Sequence, residues 1–330
     1  MTASIPRPLT FALLRQLSNG EFQSGQALAR QFGVSRATVH NALREVEQFG
    51  LALYRIPRRG YCLPHPPEWL EVAKLRSVLA ESADRFHLQI LDSTSSTNAL
   101  LLKQAAQGAP SGTVLAAEWQ EAGRGRFGRP WISGLGSALT FSLLWRFNRG
   151  VSGLAGLSLA VGVALVRALR ALSLHEVTLK WPNDLLGKDQ SKLGGILIEA
   201  QGDMLGPSAV VIGIGLNLTV PETVRRQVDQ PLGSLADSGA RLPGRNHLLA
   251  ITLAHLQEVL EEFTRHGFAP FQEEWMAYPA GQGRLVRVIL PDGVIWQGVA
   301  RGVTVEGALQ LETTDGMRVF NAGEVSLRWA

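Results

Sequence analysis

Three arginines are interspersed with three glycines and one phenylalanine in the segment Gly123-Arg124-Gly125-Arg126-Phe127-Gly128-Arg129. Glycine lets a backbone take positive φ angles and lie close against a ligand. The planar guanidinium of arginine matches the oxygens of carboxylates and phosphates in geometry. This segment, here called the Gly-Arg loop, is therefore predicted to bind an anionic group. A solvated basic loop and a dinucleotide-binding turn are the alternatives.

Positions 123, 125 and 128 spell G-x-G-x-x-G, but the surrounding sequence excludes the dinucleotide-binding turn. That motif opens a helix, and an acidic residue follows it by about 20 positions. Here Pro130 and two further glycines follow, and no Asp or Glu occurs from residue 122 to residue 175. The choice is between a basic surface loop and a loop that closes over a small anionic ligand.

Four motifs in order resemble those of biotin–protein ligases, and they favour the closing loop. Residues 120–131 resemble that family's ligand loop. Ser96-Thr97-Asn98 precedes it and resembles the first motif. Lys180-Trp181-Pro182-Asn183-Asp184 and Lys192-Leu193-Gly194-Gly195-Ile196 follow it and resemble the last two. The resemblance covers nearly the whole chain and extends to the form that doubles as repressor of the biotin operon.

The resemblance implies a two-step reaction. Biotin attacks the α-phosphate of ATP, giving biotinyl-adenylate and pyrophosphate. A lysine of a biotin carboxyl carrier protein then attacks the mixed anhydride and displaces AMP. Biotin, ATP and Mg²⁺ are therefore the expected substrates and cofactors. Magnesium is expected to arrive with the ATP phosphates, since it usually has few protein ligands.

The same resemblance assigns site residues, none of them as a metal ligand. The catalytic residues are Lys192, Asp184 and Arg126. The biotin-binding residues are Ser96, Thr97, Asn98, Gln120, Arg124, Gly125, Arg126 and Lys192. The residues expected to bind ATP or the adenylate are Arg124, Arg126, Arg129, Trp131, Lys180, Asn183, Asn217 and Arg328.

Three of these assignments have a simpler structural alternative. Ser96-Thr97-Asn98 could only cap a helix. Lys192 suits the oxygens shared by the carboxyl and α-phosphate groups, but it could be a surface lysine beside Lys188. Asp184 suits attraction of the incoming ammonium, because a carboxylate with pKa ~3.9 is a poor base for a lysine with pKa ~10.4. It could equally cap a turn.

Two positions depart from the family pattern. Phe127 stands where a third internal arginine is frequent, and it is expected to pack on the ligand. The segment Gln230-Pro231-Leu232-Gly233 lacks the tryptophan that stacks on adenine in repressor-type members. It lies within residues 220–244, a polar stretch expected to be a mobile loop or lid.

Composition bounds the cellular context. A chain of 330 residues with 45% apolar residues suggests two or three domains. The lone cysteine, Cys62, excludes a disulfide framework and fits a reducing cytoplasm. The N-terminus lacks a signal-peptide core, and the apolar stretch 151–166 is short of the ~20 residues that span a bilayer. We therefore expect a cytoplasmic protein without a membrane partner, in which this stretch is a buried helix.

The N-terminal segment is basic and resembles a DNA reader. Residues 1–66 hold eight arginines and three glutamates, a formal charge of +5, whereas the whole chain carries +4. Such asymmetry indicates a polyanion partner. Two short helices flank a glycine-containing turn, the second expected to run from Ser35 through Phe49, which predicts a helix-turn-helix followed by a wing. The expected DNA contacts are Ser35, Arg36, Thr38, His40, Asn41, Arg58 and Arg59.

The predicted fold class is α+β. We expect a winged helix-turn-helix in residues 1–66, a linker helix within 67–84, and a catalytic domain in 85–279. The catalytic domain should hold a mixed, largely antiparallel sheet with helices on one face. Alternating apolar residues broken by Asp-Gly and Glu-Gly turns predict a small barrel in 280–330, which resembles an SH3-like cap.

The leading hypothesis is a bifunctional ligase and repressor that dimerises on binding the adenylate and then binds operator DNA. Four alternatives compete with it: a structural N-terminal helix bundle, a ligase that no longer binds DNA, a biotin-sensing transcription factor without catalysis, and a lipoate ligase. Retention of Lys192 and Asp184 argues against loss of catalysis, and the complete Gly-Arg loop argues against lipoate.

Overall fold

The structure is a computed structural model that describes residues 6–323 and 325–330. Its helices, in chain order, are α1 (Pro8–Gln16), α2 (Gly25–Gln31), α3 (Arg36–Leu43), α4 (Val72–Leu79), α5 (Thr97–Ala106), α6 (Leu157–Ala171), α7 (Glu222–Arg225), α8 (Arg245–His266) and α9 (Gln272–Met276). Its strands are β1 (Tyr54–Ile56), β2 (Gly60–Cys62), β3 (His87–Thr94), β4 (Thr113–Gln120), β5 (Gly123–Arg124), β6 (Pro130–Trp131), β7 (Ala138–Phe147), β8 (Thr178–Lys180), β9 (Asp184–Leu186), β10 (Lys192–Gly202), β11 (Ser208–Asn217), β12 (Leu285–Ile289), β13 (Ile295–Val303), β14 (Leu309–Thr313), β15 (Gly316–Phe320) and β16 (Ser326–Trp329).

The N-terminal helices and the β1–β2 hairpin confirm the predicted winged helix-turn-helix. Ser24 and Ser35 cap α2 and α3, because each side chain accepts a hydrogen bond from the backbone N–H three residues later, at Ala27 and Thr38. Gly33 takes φ +63° in the turn between them. The helix expected to run through residue 49 is shorter, and a separate 3₁₀ turn covers Val46–Phe49.

Arg55, on strand β1 of the wing, explains why α3 ends at Leu43. Its guanidinium donates to the carbonyl oxygens of Leu43 at 2.8 Å and Arg44 at 2.9 Å. These carbonyls are among the unpaired acceptors at a helix C-terminus. The wing therefore supplies the cap for the recognition helix, a long-range contact that helical periodicity cannot reveal.

The central sheet is mixed and mostly antiparallel, as predicted. Its strand order is β3-β4-β7-β11-β10-β9-β8. Only β3 and β4 are parallel among the described pairings of this sheet. The β7–β11 pairing runs without a register shift from Ser208 opposite Phe147 to Asn217 opposite Ala138.

Helices cover both faces of this sheet. The prediction that the helices lie on one face is right for α4, α6 and α8, which pack into the main core. It is wrong for α5. Leu101 of α5 packs with Leu115, Leu144 and Val211 in a separate cluster on the opposite face. Successive strand residues point to opposite faces, and these strands are apolar on both. A second helical layer is therefore required.

The apolar segment 151–171 is long and apolar enough to cross a membrane by length and composition alone. In the fold it forms a 3₁₀ turn and α6, which packs against α8. Leu159, Val163 and Leu165 of α6 are fully buried. The segment is the predicted buried helix of the core.

The C-terminal strands form a five-stranded antiparallel sheet in the order β15-β14-β13-β12-β16, which confirms the small β unit. Val288 and Leu311 of this sheet belong to the same buried cluster as Leu179 and Trp181 of the central region. Trp181 also donates its indole N–H to the carbonyl of Gly307 at 3.1 Å. The central and C-terminal sheets thus share one core, while the predicted boundary at residue 280 stays a prediction.

Of two connecting segments, the linker is helical as expected, and residues 220–244 contain more regular structure than expected. The linker helix begins at residue 72 and continues as a 3₁₀ helix over Ala80–Arg85. Within 220–244 lie α7 and a 3₁₀ turn, Leu235–Ser238, which begins with a capping box between Ser234 and Asp237. The remainder of this stretch has no regular helix or strand, and its mobility and its action as a lid stay predictions.

The N-terminal unit docks against the segment that follows the Gly-Arg loop. The Leu135 N–H donates to the Phe49 carbonyl at 2.8 Å. The Phe49 ring meets the Trp119 indole edge-on, with centroids 5.2 Å apart. This contact brings the N-terminal unit next to β4, the strand that carries Gln120.

Candidate active site

A cleft lies between the N-terminus of α5, the Gly-Arg loop, strands β9 to β11 and strand β16. It is called the central cleft below. It brings together nearly all of the predicted ligand-binding residues, from motifs up to about 230 positions apart: Ser96, Thr97, Asn98, Gln120, Arg124, Gly125, Arg126, Arg129, Trp131, Lys180, Asn183, Asp184, Lys192 and Arg328.

One end of the cleft is a network of amides and hydroxyls. Ser96 accepts from Ala99 N at 3.4 Å, so it does cap α5. Gln120 Oε1 accepts from the backbone N–H of Thr97 at 2.8 Å and lies 3.1 Å from its Oγ1. Asn98 Nδ2 donates to Glu199 at 2.8 Å. The neutral side chains at this end are held in fixed orientations before any ligand arrives.

Two residues in this network were not predicted. The buried Ser142 Oγ lies 2.7 Å from Thr97 Oγ1 and 2.6 Å from Asn98 Oδ1. Glu199 accepts from Asn98 and also from Arg124 Nη2, at 3.0 and 3.1 Å. The one available signal was a polar residue inside a mostly apolar strand, on β7 and β10 respectively.

Glycines of β11 form the floor beneath this network. A Cβ at Gly213 would lie 2.2 Å from Asn98 Oδ1, and one at Gly215 would lie 2.4 Å from the Trp131 ring. Any side chain at these positions would displace Asn98 or Trp131. The buried Trp131 indole N–H has no hydrogen-bond partner among the described residues.

The other end of the cleft is strongly positive. Burial lowers the pKa of Lys180, Asp184 opposes this shift, and Arg328, Lys192 and Arg129 add to it. Burial likewise lowers the pKa of Arg328, with Arg129 adding to the shift and Asp184 opposing it. Cations packed this closely stabilise an anion in the cleft.

Asp184 and Lys192 form an ion pair inside the cleft. The Lys192 ammonium lies 2.6 Å from Asp184 Oδ1, and the two side chains are 19% and 23% exposed. The facing Gly195 leaves room for them, since a Cβ there would lie 3.2 Å from Lys192 Nζ. Lys188, by contrast, is 79% exposed and pairs with Glu176. Lys192 is thus a residue of the cleft and not a surface lysine.

Arg126 latches the Gly-Arg loop to the connection between β15 and β16 of the C-terminal sheet. Its Nη2 donates to the carbonyl oxygens of Ala322, Gly323 and Val325, at 2.6, 2.9 and 3.1 Å. Burial lowers the Arg126 pKa, an effect opposed by Asp184. Phe127, next along the loop, has φ +57° and is 53% exposed where it lines the cleft.

Asn217 lies outside the cleft lining. Its amide donates to the carbonyl oxygens of Lys192 at 3.2 Å and Gly233 at 3.1 Å. The Lys192 N–H in turn donates to the Pro231 carbonyl at 3.0 Å. Asn217 therefore fixes segment 230–233 beside Lys192, and Gln230 from this segment does line the cleft. A direct contact of Asn217 with the nucleotide stays a prediction.

The predicted DNA-contacting residues share an exposed surface on α3 and the wing. Arg36, Thr38 and Asn41 are exposed there. His40 Nδ1 lies 3.3 Å from the Tyr61 hydroxyl, which joins α3 to the wing. The two wing-tip arginines differ, because Arg58 is at the turn with φ +65° whereas Arg59 stacks over Phe22 at 4.1 Å. Ser35 is engaged as the helix cap.

Comparisons with known proteins agree with this geometry. Residues 90–217 match the biotin/lipoate A/B protein ligase family, residues 282–328 match the biotin protein ligase C-terminal domain, and residues 10–62 match a helix-turn-helix domain. The chain is 36% identical over 318 residues to the bifunctional ligase/repressor BirA of Escherichia coli, covering 96% of this chain and 97% of that protein. The chain belongs to the biotin protein ligase family.

Other biotin protein ligases are similarly related. The Bacillus subtilis bifunctional ligase/repressor BirA is 30% identical over 316 residues, which is 96% of each chain. The Mycobacterium tuberculosis biotin–[acetyl-CoA-carboxylase] ligase is 37% identical over 244 residues, covering 72% of this chain and 88% of that protein. The Aquifex aeolicus biotin protein ligase, solved in complex with biotin and ATP, superposes with a TM-score of 0.62 at 26% identity, over 74% of this chain and 99% of that chain.

Proposed function

We propose that the protein forms biotinyl-5′-AMP from biotin and ATP and transfers biotin to a lysine of a biotin carboxyl carrier protein. The observation that carries this proposal is the polarity of the central cleft. A neutral network around Thr97, Asn98 and Gln120 suits a ureido ring, which offers both donors and acceptors. The positive end around Lys180, Lys192 and Arg328 suits a triphosphate.

In the first step a carboxylate oxygen of biotin forms a bond to the α-phosphorus of ATP, and the bond to the pyrophosphate oxygen breaks. Negative charge collects on the α-phosphate oxygens. Lys192, a partly buried residue at the start of β10, and the arginines of the Gly-Arg loop are placed to stabilise it. Magnesium bound with ATP would supply positive charge to the phosphates and would take few ligands from the protein.

In the second step the carrier lysine must lose a proton before its nitrogen can attack. Asp184 attracts and orients the incoming ammonium while Lys192 turns to the acyl phosphate. The amine nitrogen then forms a bond to the acyl carbon as the bond between that carbon and the AMP oxygen breaks. AMP leaves with that electron pair, and the two protons lost from the ammonium pass to solvent water. Removing the first of these protons at pH 7 costs about 4–5 kcal/mol of free energy, because the lysine has a pKa of ~10.4.

We further propose that the adenylate-bound protein dimerises and represses a biotin operon in the cytoplasm. The exposed polar surface of α3, the +5 charge of residues 1–66 and the bifunctional relatives support DNA binding. The contact between Phe49 and Trp119 supports coupling, because Trp119 directly precedes the ligand-side Gln120.

Biotin-dependent release of pyrophosphate from ATP tests the ligase proposal. We expect release with biotin and none with lipoate. Pyrophosphate release with lipoate would favour the lipoate ligase. Biotin binding without pyrophosphate release would instead favour a sensor without catalysis.

A further inference from the structure

Trp329, on strand β16, lies behind the positive end of the central cleft. The Lys180 ammonium lies 4.8 Å from the centroid of the Trp329 ring. The Arg284 guanidinium lies over the same ring, also at 4.8 Å. Lys180 lines both the central cleft and a smaller apolar cavity that Trp329 also lines. One side chain therefore connects the indole to the cleft.

The charges around Lys180 make this ring contact important. Three cations, Arg328, Lys192 and Arg129, face its ammonium, and Asp184 is the carboxylate that opposes them. The Asp184 carboxylate is already 2.6 Å from Lys192. Burial lowers the Lys180 pKa further. An indole face attracts a cation through its quadrupole, so it offers the ammonium a favourable neighbour that adds no charge to the cleft.

We propose that Trp329 is a positioning residue for nucleotide binding, whose ring holds the Lys180 side chain as a cation directed at the phosphates of ATP. This inference rests on the proposed ligase function. It assigns a role to the C-terminal strand beyond that of Arg328, which lines the cleft itself. Trp329 acts only through Lys180.

The ring is itself fixed by the backbone. A Cβ built at Gly281 would lie 2.7 and 2.9 Å from the Cζ3 and Cη2 atoms of Trp329. Trp329 also stands opposite Val286 in the β12–β16 register. The indole therefore has little freedom to follow Lys180, and the lysine has to adapt to the ring. Gly281→Ala would displace the ring without altering any residue that lines the central cleft.

The first test observes Lys180 directly and needs neither ligand nor activity. The chain has five lysines, so reductive ¹³C-methylation gives a sparse NMR spectrum, and Lys180→Arg assigns the signal. The ring current of Trp329 should move the Lys180 methyl signal upfield. Trp329→Leu should remove that displacement and make Lys180 titrate at lower pH, whereas Trp329→Phe should retain part of both effects.

The second test measures ATP binding by calorimetry between pH 7 and 9, without biotin. We expect Trp329→Leu to weaken binding by roughly two- to thirtyfold, most strongly at high pH, and Trp329→Phe to weaken it less. In turnover, the KM for ATP should rise more than kcat falls. Gly281→Ala should reproduce the Trp329→Leu result, which guards against a folding defect of one variant.

Trp296→Leu is the matched control. Trp296 lies in the same C-terminal sheet and stacks with Arg318 at 3.8 Å, but it lines neither cavity. It should leave the Lys180 titration and ATP affinity unchanged. An unshifted Lys180 signal in the parent, or equal ATP affinity in Trp329→Leu and the parent, would overturn the proposal. A parent that binds ATP but makes no adenylate would refute the ligase function, while the Trp329 comparison would still support the positioning role.

Discussion

Arg245 and Glu118 form a buried ion pair, with Nη1 2.6 Å from Oε2 and side chains 4% and 0% exposed. The pair also forms hydrogen bonds with the linker that follows the N-terminal unit. Glu118 Oε1 accepts from the Leu70 N–H at 2.7 Å, and Arg245 Nη1 donates to the Glu68 carbonyl at 2.7 Å. Two interior charges thus fix the path of the linker across the central sheet.

Glu118→Gln should strongly destabilise the protein. It removes the charge of one partner and leaves the Arg245 guanidinium buried without compensation, which typically costs about 3–5 kcal/mol. Urea denaturation would measure this loss. The matched control is Glu176→Gln, whose exposed pair with Lys188 should contribute far less. Similar stability of the two variants would contradict the structural role of the buried pair.

Arg126→Gly should release the adenylate early. The substitution removes the Nη2 group, whose two hydrogens are shared among three carbonyl oxygens of the β15–β16 connection, and one bond to a charged group contributes about 1.5–3 kcal/mol. We expect the dissociation rate of biotinyl-adenylate in a chase assay to rise by about tenfold or more, with random labelling of lysines on nearby proteins. Arg126→Lys keeps the positive charge but lacks the planar guanidinium, so its dissociation rate should lie between those of the parent and Arg126→Gly. A variant that holds the adenylate as long as the parent would rule out the latch.

Lys192→Gln should slow adenylation. The ammonium is placed to stabilise charge that develops on the α-phosphate, so biotin-dependent pyrophosphate exchange should fall by two or more powers of ten, about 3 kcal/mol. Preformed biotinyl-adenylate should restore much of the transfer step. Lys188→Gln, four residues away and 79% exposed, should exchange at the parental rate. Normal exchange in Lys192→Gln would show that the assignment is wrong.

Glu199→Ala should weaken biotin binding. It removes the acceptor that orients the Asn98 amide and anchors Arg124, both at the neutral end of the cleft. We expect the Kd for biotin to rise by about tenfold, as for the loss of one hydrogen bond to a charged group. Glu312→Ala, an exposed carboxylate of the C-terminal sheet, is the control. An unchanged Kd for biotin would exclude a positioning role for Glu199.

Ligand should strengthen DNA binding by the N-terminal unit. A single module contacts few phosphates, so a monomer should bind weakly with a shallow salt slope, while a dimer on a palindromic site roughly doubles the contacts. Biotin with ATP should raise the affinity for DNA by 10²-fold or more. The reason is that ligand binding supplies the few kcal/mol needed to order the loops that complete the dimer surface. Titration of a palindromic site in both ligand states measures this.

Variants and a truncation sharpen that experiment. Arg36→Ala should lower affinity, and the salt slope should fall by about 1 if the side chain contacts a phosphate. Arg76→Ala, on the linker helix, is the control. A chain starting near residue 67 should still form adenylate. Equal DNA affinity with and without ligand would eliminate the coupling, and no binding in either state would leave only the ligase.

Much of the site could be predicted because its residues belong to short contiguous motifs. The Gly-Arg loop, Lys192 and Asp184 each sit beside glycines or turns that mark them in the sequence. The buried helix α6 also followed from the sequence, because it lies in the long apolar stretch that begins at residue 151. The placement of α5 on the opposite face did not follow, since period alone does not say which face of a sheet a helix covers.

Ser142 and Glu199 were missed for a related reason. Each is a polar residue with apolar neighbours on a long strand, and the partner of both, Asn98, lies 44 positions from Ser142 and 101 positions from Glu199. No local spacing encodes such a contact, which depends on strand order and register. The same holds for Arg55, whose role as a helix cap requires the wing to fold back on α3.

The Arg126 latch joins residues 196 or more positions apart in the chain. This separation orders events during protein synthesis. The recognition unit is complete once residue 66 has been made, whereas the last cleft residue, Arg328, follows about 260 residues later. At roughly 5–20 residues per second, that interval is about 13–50 s. A nascent chain would therefore carry a folded helix-turn-helix unit for some time before it could hold an adenylate.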